Sequence, residues 1–172
     1  MDVYTELRRS LAAKFELVLR RSVAVVQQLS DEDVTWSPNA DSNSVANLAL
    51  HIRETVRHRV ESVFSDVGGA RDRDREFDSA LALSRDEALA ALEQSFQILV
   101  RVVETLPEQD FLKQPYLESA PAQSALNRDA TVLDILLQML AHLSEHAGQI
   151  FYIAKARLDG RYVTTTFPKK KG

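Results

Sequence analysis

Residues 131–158, TVLDILLQMLAHLSEHAGQIFYIAKARL, combine apolar side chains at helical spacing with two histidines four positions apart, His142 and His146. Apolar residues that recur every three or four positions are typical of an amphipathic helix. We therefore predict a helix from about Thr131 to Leu158, which ends before Gly160 and needs other helices to cover its apolar face. The stripe consists of Val132, Leu136, Met139, Leu140, Leu143, Ala147, Ile150 and Ala154.

Two further helices are predicted in the first half of the chain from the same periodicity. The first runs from about Val3 to Leu29, where the polar residues Ser30–Asp33 end it and the turn-forming residues Trp36–Asn39 follow. The second begins near Ser42–Ser44, any of whose side chains can cap a helix, and it fades at Gly68–Gly69.

A fourth helix is predicted between these two and the last one. It opens with the capping box formed by Ser84 and Glu87 and runs to about Leu106. Before it, Arg71–Asp78 alternates in charge and is predicted to be a solvated loop. After it, Gln109–Arg128 shows no clear periodicity, and a connection of that length is typically functional or a crossover.

Four long helices predict an all-α protein with the architecture of a four-helix bundle, in which the long connections permit a crossover order. At 172 residues the chain suffices for one well-buried domain and is too short for two ordinary ones. We therefore predict a single domain over residues 1–172, with a basic tail at about 164–172 that contains Lys169–Lys171.

The composition excludes several classes of protein. The chain is 45% hydrophobic and 27% charged, which is typical of a globular protein, and its net charge of -4 argues against a nucleic-acid binder. The absence of Cys excludes disulfides, cysteine nucleophiles and thiolate zinc sites. No apolar run approaches the roughly 20 residues of a membrane span, and the start lacks a signal-peptide pattern, so we expect a cytoplasmic protein that does not enter a membrane.

Three histidines form a candidate metal site. His51 flanks the apolar stripe of the second helix, as His142 and His146 flank that of the last helix. Residues i and i+4 share one face of a helix, so these two imidazoles can bind one cation together with a third from a neighbouring helix. Spacing alone leaves a second interpretation open, because such pairs arise by chance and half-buried histidines often only hydrogen-bond a neighbour. His58 lies about 10.5 Å along the helix from His51, so we predict a surface or rim position for it.

Other catalytic motifs are incomplete in the chain or missing from it. Glu145 completes His142-x-x-Glu145-His146, the inverted zinc-protease motif, in which the glutamate is the general base. That motif needs an acidic ligand on a later helix, and Asp159 is the only acid downstream of it, so we predict a solvated Glu145 and no protease. The sequence contains no Glu-x-x-His pair of a di-iron site, no Walker loop and no Gly-x-Ser-x-Gly elbow.

The runs around the histidines resemble two helices of the DinB/YfiT superfamily of metal-dependent enzymes. Residues 43–51, NSVANLALH, resemble its second helix, and residues 142–150, HLSEHAGQI, are similar to its last helix, where His-x-Gly-Gln-Ile recurs. Residues 36–39 and 71–77 are similar to a branch of the superfamily that has no assigned function. The resemblance covers about Trp36 to Pro168.

The resemblance implies a four-helix bundle with a crossover order, often dimeric, in which three histidines hold a divalent metal ion. His51, His142 and His146 match those positions. Members of the DinB/YfiT superfamily include thiol-dependent S-transferases and isomerases, and the superfamily is also labelled hydrolase. We therefore expect a metal-dependent transferase or hydrolase for a small molecule, with a low-molecular-weight thiol as a candidate cofactor. The alternative is a non-catalytic metal-binding or structural helical-bundle dimer.

Some details of such a site stay open. Imidazole ligands suit Zn, Ni, Fe or Cu, and the sequence does not choose among them. Arg53, Arg57 and Arg59 lie near His51 and could attract an anionic thiol, but a solvated helix face is the simpler interpretation. Ligand histidines must be neutral, so the metal should dissociate as the pH falls through about 6.

Overall fold

The structure, a computed structural model, describes residues 2–61, 71–115 and 129–165. Within these three ranges it contains six α-helices and no β-strand, which confirms the all-α prediction. Each of the six begins at an Asp, Ser or Thr whose side chain accepts a hydrogen bond from a backbone N–H of the first turn. These caps satisfy donors that a helix start otherwise leaves unpaired.

The first helix, α1, spans Val3–Val26 and ends before the predicted Leu29. Ser30, predicted to lie at the end of this helix, also starts the next one. Its side chain caps a second, short helix, α2, over Asp31–Thr35. Arg157 Nε donates a 2.6 Å hydrogen bond to Asp33 Oδ1, and this ion pair ties α2 to the end of the last helix.

Helix α3 spans Val45–Val56 and begins at Ser44, within the predicted range. Ser44 and Asn47 form a capping box in which each side chain binds the backbone of the other residue. A five-residue π-helix, Arg57–Glu61, follows without a break. The predicted end at Gly68–Gly69 lies outside the described residues.

The prediction of a solvated loop at Arg71–Asp78 is confirmed for most of its residues, which are exposed, and is wrong for one helical turn and for Glu76. Arg73–Glu76 forms a short helix, α4, and the Glu76 side chain is fully buried. Asn47 anchors this segment, since its side-chain amide donates to the carbonyl oxygens of Glu76 and Asp78 at 3.0 and 2.9 Å. Alternating charge indicates solvation only where no other element covers the segment.

Two predicted helices are confirmed closely. Helix α5 spans Arg85–Thr105 and begins with the predicted capping box of Ser84 and Glu87. Helix α6 spans Val132–Leu158 and is capped by Thr131. Most of the predicted connection Gln109–Arg128 lies outside the described residues, as does the core of the basic tail.

The four long helices pack in pairs around one apolar core. Helix α1 packs against α5 and α6, and α3 packs against the same two helices. Each contributes fully buried side chains, among them Phe15, Leu48, Phe96 and Met139. Along the described part of the chain, no helix is long and apolar enough to cross a membrane. The contact between α3 and α6 positions the candidate site.

Candidate metal centre

Helices α3 and α6 bring three histidines together where they pack. His142 Nε2 lies 3.2 Å from His51 Nε2 and 3.1 Å from His146 Nε2. One ligand atom from each of the three lies within 4.8 Å of the other two. Nitrogens that share an ion at 2.0–2.1 Å, with bond angles of roughly 90–110°, are about 2.9–3.4 Å apart, so the two separations from His142 Nε2 match those around a shared metal ion.

The proton of His51 is placed by Glu76. The Glu76 carboxylate Oε2 lies 2.8 Å from His51 Nδ1, and an ionised carboxylate can only accept a hydrogen bond. Nδ1 must therefore carry the proton, which leaves the Nε2 of a neutral His51 with a lone pair. Arg71 Nη2, 3.2 Å from the same Nδ1, then merely lies near it, because a protonated Nδ1 has no lone pair to offer.

Glu76 is itself held by Arg71. Arg71 donates from Nε to Oε1 and from Nη2 to Oε2, both at 2.6 Å, which is the bidentate arrangement of a strong charge-assisted pair. Nη2 also donates to the hydroxyl of Thr55 at 2.8 Å. Glu76 is 0% exposed and Arg71 11% exposed, so this pair is shielded from solvent. The network fixes the orientation of the His51 ring.

His146 has a different support. Its Nδ1 lies 2.8 Å from Oε1 of Gln149, and a carbonyl oxygen accepts. The proton of a neutral His146 is therefore also on Nδ1, and the Nε2 lone pair again faces the other histidines. Gln149 is exposed, in contrast to Glu76. Hydrogen bonds of this kind orient the imidazoles of metal sites in proteins.

Electrostatics keep His51 and His142 in their neutral form. Burial lowers the pKa of His51, and burial together with the neighbouring His146 and His51 lowers the pKa of His142 to about 4. Burial by itself raises the pKa of Glu76, but the hydrogen bonds from Arg71 and His51 outweigh it, and the pKa is lowered overall. At neutral pH His51 and His142 are therefore uncharged beside an ionised Glu76 carboxylate, and an uncharged imidazole is the form in which histidine binds a metal ion.

The other predicted residues lie outside the cluster. His58 is half-buried on the π-helix and is not one of the three clustered histidines. Glu145 is exposed. Among the described residues, no acidic side chain contributes a ligand atom to the histidine group, so the ligand set of the inverted zinc-protease motif is not present there. Arg53 and Arg57 both pair with Glu54, as a solvated helix face would.

Sequence reasoning missed Glu76, Arg71 and Thr55. Four acidic residues occur between positions 72 and 78, and nothing local distinguishes the buried one, because its burial depends on partners from α3. The one usable signal is Asp72, whose side chain can cap a helix and whose position predicts a helical turn over Arg73–Glu76.

Comparison with proteins of curated function finds no match for this chain. Comparison with families of related sequences finds one that spans residues 2–171 and is described as "Protein of unknown function (DUF1572)". That match includes all four long helices and every residue of the histidine cluster and its supports. The chain therefore belongs to the DUF1572 family, whose function is not known.

Proposed function

We propose that His51, His142 and His146 bind one divalent metal ion through their Nε2 atoms. One observation carries the proposal: two hydrogen bonds, to Glu76 and Gln149, place the protons of His51 and His146 on Nδ1 and turn lone pairs toward a common point. His142 Nε2, at 3.2 and 3.1 Å, can donate a proton to one of these neighbours and not to both. A cation bound between the three Nε2 atoms would remove the repulsion between the lone pairs that no proton satisfies.

The protein's own groups then have defined tasks. Glu76 accepts from His51 Nδ1–H and increases the basicity of the opposite nitrogen. Arg71 keeps Glu76 ionised and balances its charge inside the protein. Three neutral ligands leave a dication with its full charge, which can lower the pKa of a bound water or thiol.

We further propose a metal-dependent enzyme that acts on a small molecule, either a thiol S-transferase or a hydrolase. The likeness of residues 43–51 and 142–150 to the DinB/YfiT superfamily supports this class. So does the half-buried position of His142 and His146, which leaves one side of the cluster accessible. Homodimerisation is a prediction from the same likeness.

A DinB-like four-helix bundle is the fold that we propose for the whole chain. In support, α1 and α3 each pack against both α5 and α6, so that the four helices close a ring. This order places α1 opposite α3 and α5 opposite α6, and the connections between opposite helices are then crossovers. The crossover from α5 to α6 needs a long connection, and the length of the segment between Thr105 and Val132 is consistent with one.

Metal analysis of protein purified without a histidine tag tests the site. We expect about one ion per chain in the native protein and almost none after His142→Ala, since two ligands hold a metal weakly. His58→Ala is the matched control, because it also removes a histidine but lies outside the cluster. Metal far below one per chain, or equal losses in both variants, would overturn the proposed site.

Turnover assays test the enzyme class. The metal-loaded protein should transfer low-molecular-weight thiols to electrophiles or hydrolyse members of an ester panel, and His142→Ala should abolish either activity. A fully loaded protein that turns over neither panel would favour the non-catalytic metal-binding bundle instead.

A further inference from the structure

A cavity of about 660 Å³ lies beside the histidine cluster, between α6 and the chain that leads into α3. Its size falls within the range of roughly 300–1,000 Å³ that is typical of small-molecule sites. One wall is formed by Pro38, Asn39 and Asp41–Asn43, and the other by Glu145, Gly148, Gln149 and Tyr152. No histidine lines it, so it is a separate space and not the metal position.

Two residues connect this cavity to the cluster. Gln149 lines the cavity, and its Oε1 accepts the hydrogen bond from His146 Nδ1. Leu48 also lines it and lies three residues, about 4.5 Å along the helix, before His51. A small molecule in the cavity would therefore lie about one helical turn from the histidines.

Gly148, an exposed residue of α6, leaves room in the wall of the cavity. Glycine in a helix interior is less favourable than alanine, and a close contact or a positive φ normally accounts for it. Neither accounts for Gly148: no described glycine has a positive φ. Apart from its own helix backbone and chain neighbours, no described atom lies within 4 Å of where its Cβ would be. The missing side chain leaves only open volume in the cavity wall.

The charge of the lining indicates the kind of ligand. Asp41 and Glu145 contribute carboxylates, and none of the described lining residues is Lys, Arg or His. Within the described ranges, neither carboxylate forms a salt bridge. Tyr152, 74% exposed, adds an aromatic ring, which attracts cations through its face. Anionic ligands would meet two like charges there.

We propose that this cavity binds the ammonium-bearing part of a small organic amine, and that this amine is the substrate presented to the metal site. The carboxylates of Asp41 and Glu145 hold the ammonium group, Tyr152 covers it, and Gly148 provides the room. The role as substrate site rests on the proposed function, whereas binding of the amine does not.

A pair of probes of similar size and opposite charge, 2-phenylethylamine and 3-phenylpropionate, tests the cavity. Titration by saturation-transfer NMR at neutral pH should show about tenfold tighter binding of the amine, because charge-assisted hydrogen bonds and the aromatic face both favour it. Glu145→Gln should weaken the amine about fivefold and Gly148→Leu, which narrows the cavity, at least tenfold. Glu16→Gln, an exposed charge change on α1, is the matched control and should change nothing.

Loading the protein with Co²⁺, with diamagnetic Zn²⁺ as the control, tests the relation of the bound amine to the metal. Paramagnetic Co²⁺ should accelerate relaxation of the bound amine's protons, and His142→Ala should remove that effect while amine binding persists. Equal affinity for the two probes, no binding of either, or amine binding that Glu145→Gln leaves unchanged would overturn the amine site. If the amine binds to metal-loaded protein and Co²⁺ does not affect its relaxation, the proposed role of the amine as substrate is overturned. If the protein takes up no metal, the proposed function is overturned, and the test of amine binding remains valid.

Discussion

The two flanks of the histidine cluster differ in burial and in charge. The closed flank, Thr55, Arg71 and Glu76, is shielded from solvent and holds His51 through a bidentate ion pair. The open flank, Glu145, Gly148 and Gln149, is exposed and borders the cavity. One flank therefore fixes the ligand geometry, while the other leaves room for molecules to enter.

The physical reason is the cost of burying charge. A buried ion pair is tolerated only when its hydrogen bonds are satisfied, and removing one partner leaves the other charge uncompensated. Glu76 meets this condition through Arg71 and His51. Exposed groups such as Gln149 are solvated by water, so they can be exchanged at little cost.

Glu76→Ala should produce the largest effect. It leaves Arg71 buried without its partner, and breaking a buried pair in this way costs about 3–5 kcal/mol of unfolding free energy. Urea denaturation of the metal-free variant would measure it. The matched change on the open flank, Glu145→Ala, should stay within about 0.5 kcal/mol of the native protein. Similar losses of unfolding free energy in both variants would contradict the proposed difference between the two flanks.

Glu76→Gln should preserve the fold better and weaken metal binding instead. The amide oxygen still accepts from His51 Nδ1, but the negative charge that supports the imidazole is gone, and such changes typically cost 10–100-fold in affinity. Competition with a chelator would measure the dissociation constant. Gln149→Ala, which removes the exposed support of His146, should cost less than about threefold because water can replace that acceptor. The reverse order of the two effects would contradict this assignment.

Acid should destabilise the metal-free protein. The pKa of His142 is lowered from 6.5 to about 4 in the folded state, first by burial and then by the nearby His146 and His51. The unfolded chain therefore binds more protons between those pH values, and the free energy of unfolding falls as the pH drops through that window. The lowered pKa of Glu76 acts in the same direction below pH 4.5, its ordinary value.

Urea unfolding of chelator-treated protein at several pH values across this window would measure the slope. His142→Ala should flatten it, whereas Glu145→Gln on the open flank should leave it unchanged. A stability that stays constant between about pH 6.5 and 4.5 would show that His142 is not held neutral by the fold.

Gly148→Ala should have the smallest effect and the opposite sign. Alanine is preferred in a helix interior by about 0.8–1 kcal/mol, and the space around Gly148 accepts a Cβ without a clash. The melting temperature should rise by roughly 2–4 °C, as differential scanning calorimetry would show. A lower melting temperature would mean that another group packs against this glycine.

Local sequence patterns were sufficient for the long helices. The apolar period and the caps at Ser44, Ser84 and Thr131 act within a few residues, so α3, α5 and α6 begin close to their predicted starts. The pairing of His142 and His146 on one face follows from the same helical geometry. Local patterns failed at Ser30, where a helix end and a helix start use the same polar residues.

The helical character of this protein and the shared helix face of His142 and His146 follow from the amino-acid sequence alone, because both properties depend on neighbours along the chain. The meeting of His51 with these two histidines, and the burial of Glu76 behind it in a segment of alternating charge, depend on how the helices pack. The same holds for the cavity beside Gly148. Each of these requires groups from distant parts of the chain, and a carboxylate is stable in the interior only once Arg71 and His51 are in place around it.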